Sequence, residues 1–196
     1  MENLDPILEP IARRFEQSAE LVRRCGPLLA MRIAQAGDLI IESCRAGGGV
    51  LVFGNGGSAA DAQHIAGELV GRFLLNRPAL RAVALTTDTS VLTAVGNDFD
   101  FASIYARQVE ALGRAGDVAW GISTSGNAAN VVRALARARE LGLRTILLGG
   151  QGGGAAAAHA DILLDVPAAH TPLIQEAHVV IYHVICQRVE AALARD

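Results

Sequence analysis

Four apolar residues, Val50-Leu51-Val52-Phe53, run straight into Gly54-Asn55-Gly56-Gly57-Ser58, and a helix-forming stretch opens at Ala59. A short β-branched run bounded by glycines reads as a buried strand. The glycine loop tolerates unusual backbone angles and lets a ligand approach the main chain. The following stretch has apolar positions at Ala62, Ile65, Ala66, Leu69 and Val70. Ser58 is the expected helix cap, and Asp61 would favour the positive helix end. Strand, glycine turn and helix N-terminus together make an anion site. His64 and Glu68 lie four apart, so they share one helix face just downstream. A tight turn and a solvated His/Glu pair would account for the same residues more plainly. The glycine spacing fits no dinucleotide fingerprint, and no Gly-Lys-Ser/Thr follows as in a Walker loop.

The same pattern recurs. Val118 to Ile122 reads as a strand, Ser123-Thr124-Ser125-Gly126-Asn127 as a polar loop, and residues 128–141 as a helix. Three hydroxyl residues in a row can hydrogen-bond one phosphate, although capping would need only one of them. Further strands fit residues 50–53, 81–85, 145–148 and 161–166, the last stopped by Pro167. Residues 4–24 and 27–46 read as two helices, stopped by Gly47-Gly48-Gly49. A helix over 100–113 follows the turn holding Asn97-Asp98, and a final helix spans residues 171–194. Strands alternating with helices predict an α/β fold, a doubly wound parallel five-stranded sheet flanked by helices. The chain is expected to be a single domain over 1–196, with residues 1–48 as an N-terminal helical extension. Ligands of such sheets bind outside the carboxyl ends of the strands. The Ser58 loop, Asn97-Asp98 and the Ser123 loop all hold that position. In the last helix, Glu176 and His178 are expected to face solvent or another chain.

Composition narrows the chemistry. The net charge is −3, so no basic footprint points to nucleic acid. No apolar run reaches membrane-spanning length. The N-terminus is polar and acidic, unlike a secretion signal. Cys25, Cys44 and Cys186 are scattered without metal spacing and read as buried thiols in a reducing cytoplasm. All 17 basic residues are arginine. A Schiff-base mechanism needs a lysine amine and is excluded.

Four segments carry a resemblance that covers nearly the whole chain. They are GNGGSAADAQHIAGEL at 54–69, LTTDTSVLTAVGNDF at 85–99, GDVAWGISTSGNAANV at 116–131 and IQEAHVVIYH at 174–183. In this order they resemble the sugar isomerase (SIS) domain and, more closely, the phosphoheptose isomerase family. The resemblance implies the SIS fold and conversion of sedoheptulose 7-phosphate to D-glycero-D-manno-heptose 7-phosphate, on the way to activated heptose for the bacterial cell envelope. It implies a cytoplasmic homotetramer with Zn2+, one per subunit. Carried over residue by residue, Ser58, Ser123, Thr124 and Ser125 would hold phosphate. Asn55, Gly56, Gly57, Asn97 and Asp98 would line the sugar site. His64, Glu68, Gln175 and His183 match the metal and catalytic set, with Gln175 also facing substrate. Ala128 departs from the family, which commonly has a serine there, so one phosphate contact is lost. The loop around His170 varies in the family. A different class of function is also open, a non-catalytic SIS tetramer that binds the DnaA replication initiator. Such a scaffold needs neither Glu68 nor His183.

Aldose–ketose isomerisation moves a proton between C1 and C2 through an enediol and needs a base and an acid. Glu68 is the candidate base and His183 the candidate acid. If both ligate a metal, they are less available for proton transfer. Either the metal polarises the carbonyl while a ligand leaves, or it mainly organises the site. Gln175 and His183 are eight residues apart, roughly 12 Å of rise and about 80° of rotation on one helix. One regular helix should not bring both to one ion. The expectation is therefore active sites at subunit interfaces, with different chains supplying these two residues. If Glu68 and His183 also came from different chains, mixing Glu68→Gln and His183→Ala chains would restore activity.

Overall fold

The computed structural model describes residues 7–194. Its elements run α1 (Leu8–Arg45), β1 (Val50–Gly54), α2 (Gly57–Val70), β2 (Ala82–Ala84), α3 (Thr89–Asp98) and α4 (Ile104–Leu112). They continue through β3 (Val118–Ser123), α5 (Ala129–Glu140), β4 (Arg144–Gly149), β5 (Ile162–Asp165) and α6 (Thr171–Leu193). The five strands form one parallel sheet in the order β2-β1-β3-β4-β5. Strand alternation divides the core. Val50, Val52, Trp120 and Ile122 face one layer with α1, α2 and α6. Leu51, Phe53, Ala119 and Leu147 face the other with α4 and α5. Chain order reverses between β1 and β3, so the crevice beyond their carboxyl ends is the switch point where such sheets take ligands.

Several expectations need correction. The two N-terminal helices are one, Leu8–Arg45, with Pro27 inside it. Residues 4–6 of the expected first helix lie outside the described residues. Gly26-Pro27 reads as a break because proline removes a helical hydrogen bond. Leu21, Cys25, Leu29, Ile33 and Ile40 nevertheless form one buried stripe across it. Packing of that stripe against α6 outweighs the local loss. Helix α2 is capped by Gly56, not Ser58, and Gly56 has φ 54°, a value that favours glycine. Ser58 lies inside the first turn and is buried. Asn97 and Asp98 close α3 rather than sitting in the turn after it. Cys44 is only half-buried, unlike Cys25 and Cys186.

The largest correction concerns His178. It is completely buried, and its Nε2 lies 3.1 Å from the Gly149 carbonyl at the end of β4. Helix α6 is apolar on nearly every side, so few polar positions in the sequence mark its outer face. Glu176 does lie outside, where it accepts hydrogen bonds from Arg14 and Ser18 of α1.

Helices α2 and α6 run side by side in the same direction. Three contacts define the pairing. Gly57 packs on Gln175, so closely that a Cβ there would lie 2.6 Å from the amide nitrogen. His64 meets Tyr182 and His183. Glu190 accepts from the backbone N–H groups of Phe73, Leu74 and Leu75 just past the end of α2.

Candidate active site

The switch-point crevice is walled by two loops. In the first, Gly54 ends β1 and allows no side chain, since a Cβ would lie 2.8 Å from the Ile122 carbonyl and 2.9 Å from Ser58. Asn55 follows, and its side-chain amide exchanges two hydrogen bonds with Asn130 of α5, at 2.9 and 2.8 Å. In the second loop Ser123 is buried, and its Oγ accepts from the Gly126 N–H at 3.1 Å. Ser125 is exposed, and its Oγ accepts from the Asn127 N–H. Thr124 is half-buried, and its carbonyl accepts from the Gly150 N–H. Gly126, at φ 64°, passes against the Gly153 carbonyl with no room for a side chain. Backbone and hydroxyl groups of this kind at the start of a helix can receive an anion, so this loop is the candidate anion cradle.

Asn130 escaped the sequence analysis. It is 3% exposed, and its Oδ1 accepts from both Asn55 and the Val131 N–H. It therefore ties the two loops together and also caps the first turn of α5. Ala128 occupies the formal cap position and contributes no side-chain bond. A polar residue early in a helix after a glycine-rich loop was the available signal.

Beside the cradle, two turns along α2, His64 Nε2 stands 3.1 Å from Glu68 Oε1 and 3.4 Å from His183 Nε2. One donor atom from each of the three residues lies within 4.8 Å of the others. All three belong to one chain, so Glu68 and His183 are not divided between subunits. Mixing Glu68→Gln and His183→Ala chains is accordingly expected to restore nothing. Gln175 sits against Gly57, about two turns of α6 back from His183. Asn97 donates to Asp98 at 2.8 Å, and among the described residues neither is hydrogen-bonded to this cluster.

The cluster has directional electrostatics. Burial, then the neighbouring His64, pulls the His183 pKa below the ordinary imidazole value, and Glu68 opposes them. His183 also packs against the rings of Phe73 and Tyr182. Burial raises the Asp61 carboxyl, against the lowering effects of the Tyr182 hydroxyl and His64. Two imidazole nitrogens and a carboxylate oxygen suit a borderline metal ion such as zinc, and three protein donors leave a coordination position open. The same groups can also accept and return a proton.

A family model described as the SIS domain matches residues 15–150. The phosphoheptose isomerase of Geobacter sulfurreducens is 51% identical over 187 residues, covering 95% of this chain and 99% of that protein. Two solved structures are also close. The phosphoheptose isomerase of Neisseria gonorrhoeae superposes with a TM-score of 0.90 at 44% identity, covering 94% of this chain and 99% of that one. That of Francisella tularensis gives 0.91 at 38% identity, covering 95% and 100%.

Proposed function

The chain belongs to the SIS-domain family and, within it, to the phosphoheptose isomerases, and from that premise we propose that it interconverts sedoheptulose 7-phosphate and D-glycero-D-manno-heptose 7-phosphate. One observation carries the reading: an anion cradle at the sheet switch point lies beside a carboxylate–imidazole cluster on the same chain. Ser58, Ser123, Thr124 and Ser125 hold the phosphate. Asn55, Gly56, Gly57, Asn97, Asp98 and Gln175 line the sugar.

Glu68 takes the proton from one of C1 and C2 and returns it to the other. His183 gives and recovers the proton on the carbonyl oxygen as the enediol forms and collapses. With no lysine in the chain, proton transfer requires no covalent adduct. His64, Glu68 and His183 of one chain would hold one Zn2+ per subunit, with Gln175 of a neighbouring chain as a further donor. When bound, the ion supplies Lewis acidity toward a substrate oxygen. His64 would remain a ligand, and Glu68 and His183 would each be available for proton transfer only when not bound to the ion.

The assembly is a cytoplasmic homotetramer with active sites near subunit interfaces. Leu28 and Met31 on α1 and Val180 and Val184 on α6 leave large apolar side chains exposed, 43% to 72%. Val180 and Val184 line a groove of about 750 Å³ between the two helices. Among the described residues no helix is long and apolar enough to cross a membrane. The DnaA-binding scaffold gains no support, since the related proteins cited carry the isomerase name and both proton-transfer candidates are present.

Purified protein incubated with sedoheptulose 7-phosphate in deuterated water should incorporate deuterium at the isomerising carbons and form the aldose. Failure to turn over that ketose, with or without added zinc, would overturn the assignment. Light scattering should give the mass of four chains, and a stable monomer at micromolar concentration would remove the tetramer.

A further inference from the structure

We propose that Tyr182, backed by Asp61, is a positioning residue that holds the His64 ring with Nδ1 protonated and Nε2 presented to Glu68 and His183. The inference rests on reading His64, Glu68 and His183 as a metal-binding cluster. Asp61, His64 and Glu68 are spaced by three and four, so they share the face of α2 turned to α6. Tyr182 is 1% exposed. Its ring stands edge-on to His64 at 5.3 Å and to His183 at 4.9 Å between centroids. Its hydroxyl lies 3.0 Å from His64 Nδ1 and 3.4 Å from Asp61 Oδ1.

A phenol has one proton to donate. An ionised Asp61 can only accept, so it draws that proton. The Tyr182 oxygen is then an acceptor and takes the Nδ1–H of His64. The His64 proton is thereby fixed on the side away from the cluster, and Nε2 keeps its lone pair. That lone pair points into the space shared with Glu68 Oε1 and His183 Nε2. Lone pairs on three converging atoms repel one another unless a cation lies among them. In the opposite arrangement Tyr182 would donate to Nδ1 and an Nε2–H would donate to Glu68, leaving His64 no lone pair for an ion. Asp61 behind the hydroxyl selects between the two. Ligating histidines commonly need such a partner on the far nitrogen, and its loss typically weakens metal binding roughly 10- to 100-fold.

The test uses the full chain, stripped of metal and titrated with Zn2+ against a chelating indicator, without substrate. Tyr182→Phe keeps the ring and removes the hydroxyl. Its zinc affinity should fall roughly 10- to 100-fold, with an unchanged circular dichroism spectrum. Nitrogen NMR of the zinc-loaded parent should show His64 bound through Nε2 with a slowly exchanging Nδ1 proton. That proton should exchange faster in Tyr182→Phe, an effect that general loosening of the helix would not confine to one ring. Asp61→Asn should give a smaller loss of affinity, and it carries the test if Tyr182→Phe does not fold. Zinc affinity within twofold of the parent in both variants, or zinc bound through Nδ1, overturns the proposal while leaving the metal site standing. A parent that takes up no zinc overturns both, whatever its isomerase activity.

Discussion

Two carboxylates sit on the seam between α2 and α6, and their surroundings differ. Glu190 is 2% exposed and fully engaged, accepting from three backbone N–H groups at 2.6 to 2.7 Å. Arg77 lies beside it at 3.6 Å, itself buried. Burial alone would raise the Glu190 pKa, but the N–H groups of Leu75, Leu74 and Phe73, with Arg77, hold it below the ordinary value. Among the described residues the Glu68 carboxylate has one side-chain partner, His64, and its side chain remains 19% exposed. A buried carboxylate held by three N–H groups and faced by a guanidinium can only hold structure. One with vacant lone pairs beside two imidazoles can take a proton or an ion. The two are linked, because Arg77 donates to the backbone carbonyls of Glu68 at 2.6 Å and Leu69 at 2.9 Å. The satisfied cluster thus fixes the end of the helix that carries the unsatisfied one.

Exchanging the defects is the sharpest way to break this contrast. Glu68→Gln should lower kcat by ~100- to 10,000-fold with almost no change in the urea midpoint. A near-normal rate would remove Glu68 from the chemistry. Glu190→Gln should do the reverse, costing roughly 3–5 kcal/mol of stability because it leaves Arg77 buried without its charge partner. In the cold, where the variant is folded, turnover should survive. A Glu190→Gln chain that melts normally would show that the anchor is dispensable.

His178 offers a third case, a buried group that neither reacts nor carries charge. Burial depresses its pKa from 6.5 to about 4, and the hydrogen bond to the Gly149 carbonyl only partly offsets this. Among the described residues its Nδ1 has no hydrogen-bond partner. The unfolded chain therefore binds a proton that the folded chain refuses. Stability from this source is complete above pH 6.5 and is lost as pH falls toward 4, amounting to about 3 kcal/mol. Urea midpoints measured between pH 7.5 and 4.5 should fall in that window, and His178→Gln should flatten the slope.

In the cradle, Ser123 is tied to its own loop and Ser125 points outward. Ser125→Ala should raise KM about tenfold, the value of one hydrogen bond to a charged group, with kcat little changed. Equal activity on the dephosphorylated sugar would contradict that role. The smallest effect is expected from Ala128→Ser. A new cap ordinarily adds about 1 kcal/mol. Here Asn130 already serves the Val131 N–H, so about half of that is expected in a thermal melt.

The strand–loop–helix rhythm made the sheet legible, because the three central strands are buried on both faces and the strands are bounded by glycine or polar turns. The two loops at the strand ends and the His64–Glu68 spacing were legible along the chain, and the resemblance pointed to His183 beside them. What local reading missed was decided by packing at a distance. Pro27 reads as a helix end until the long stripe against α6 is seen. His178 reads as an outer residue because α6 gives few signs of which side faces in. Asp61 reads as a helix-end charge, yet its partner is Tyr182, 121 residues away in sequence. Asn130 and Tyr182 carry no motif, since their value lies in what they hold.

The parallel run of α2 beside α6 has a consequence for how this chain can vary. Gly57 is matched to Gln175, His64 to His183, and residues 73–75 to Glu190. Each helical residue turns the chain by about 100°. Inserting or deleting one residue between the first and last of these pairs, in either helix, would swing everything beyond it off the seam. Substitutions along the two helices can be absorbed one at a time. A single-codon length change cannot, unless the other helix changes by the same amount. Length variation among descendants of this chain should therefore collect in the surface loops, such as the glycine-rich stretch after β4, and leave these two spans at constant length.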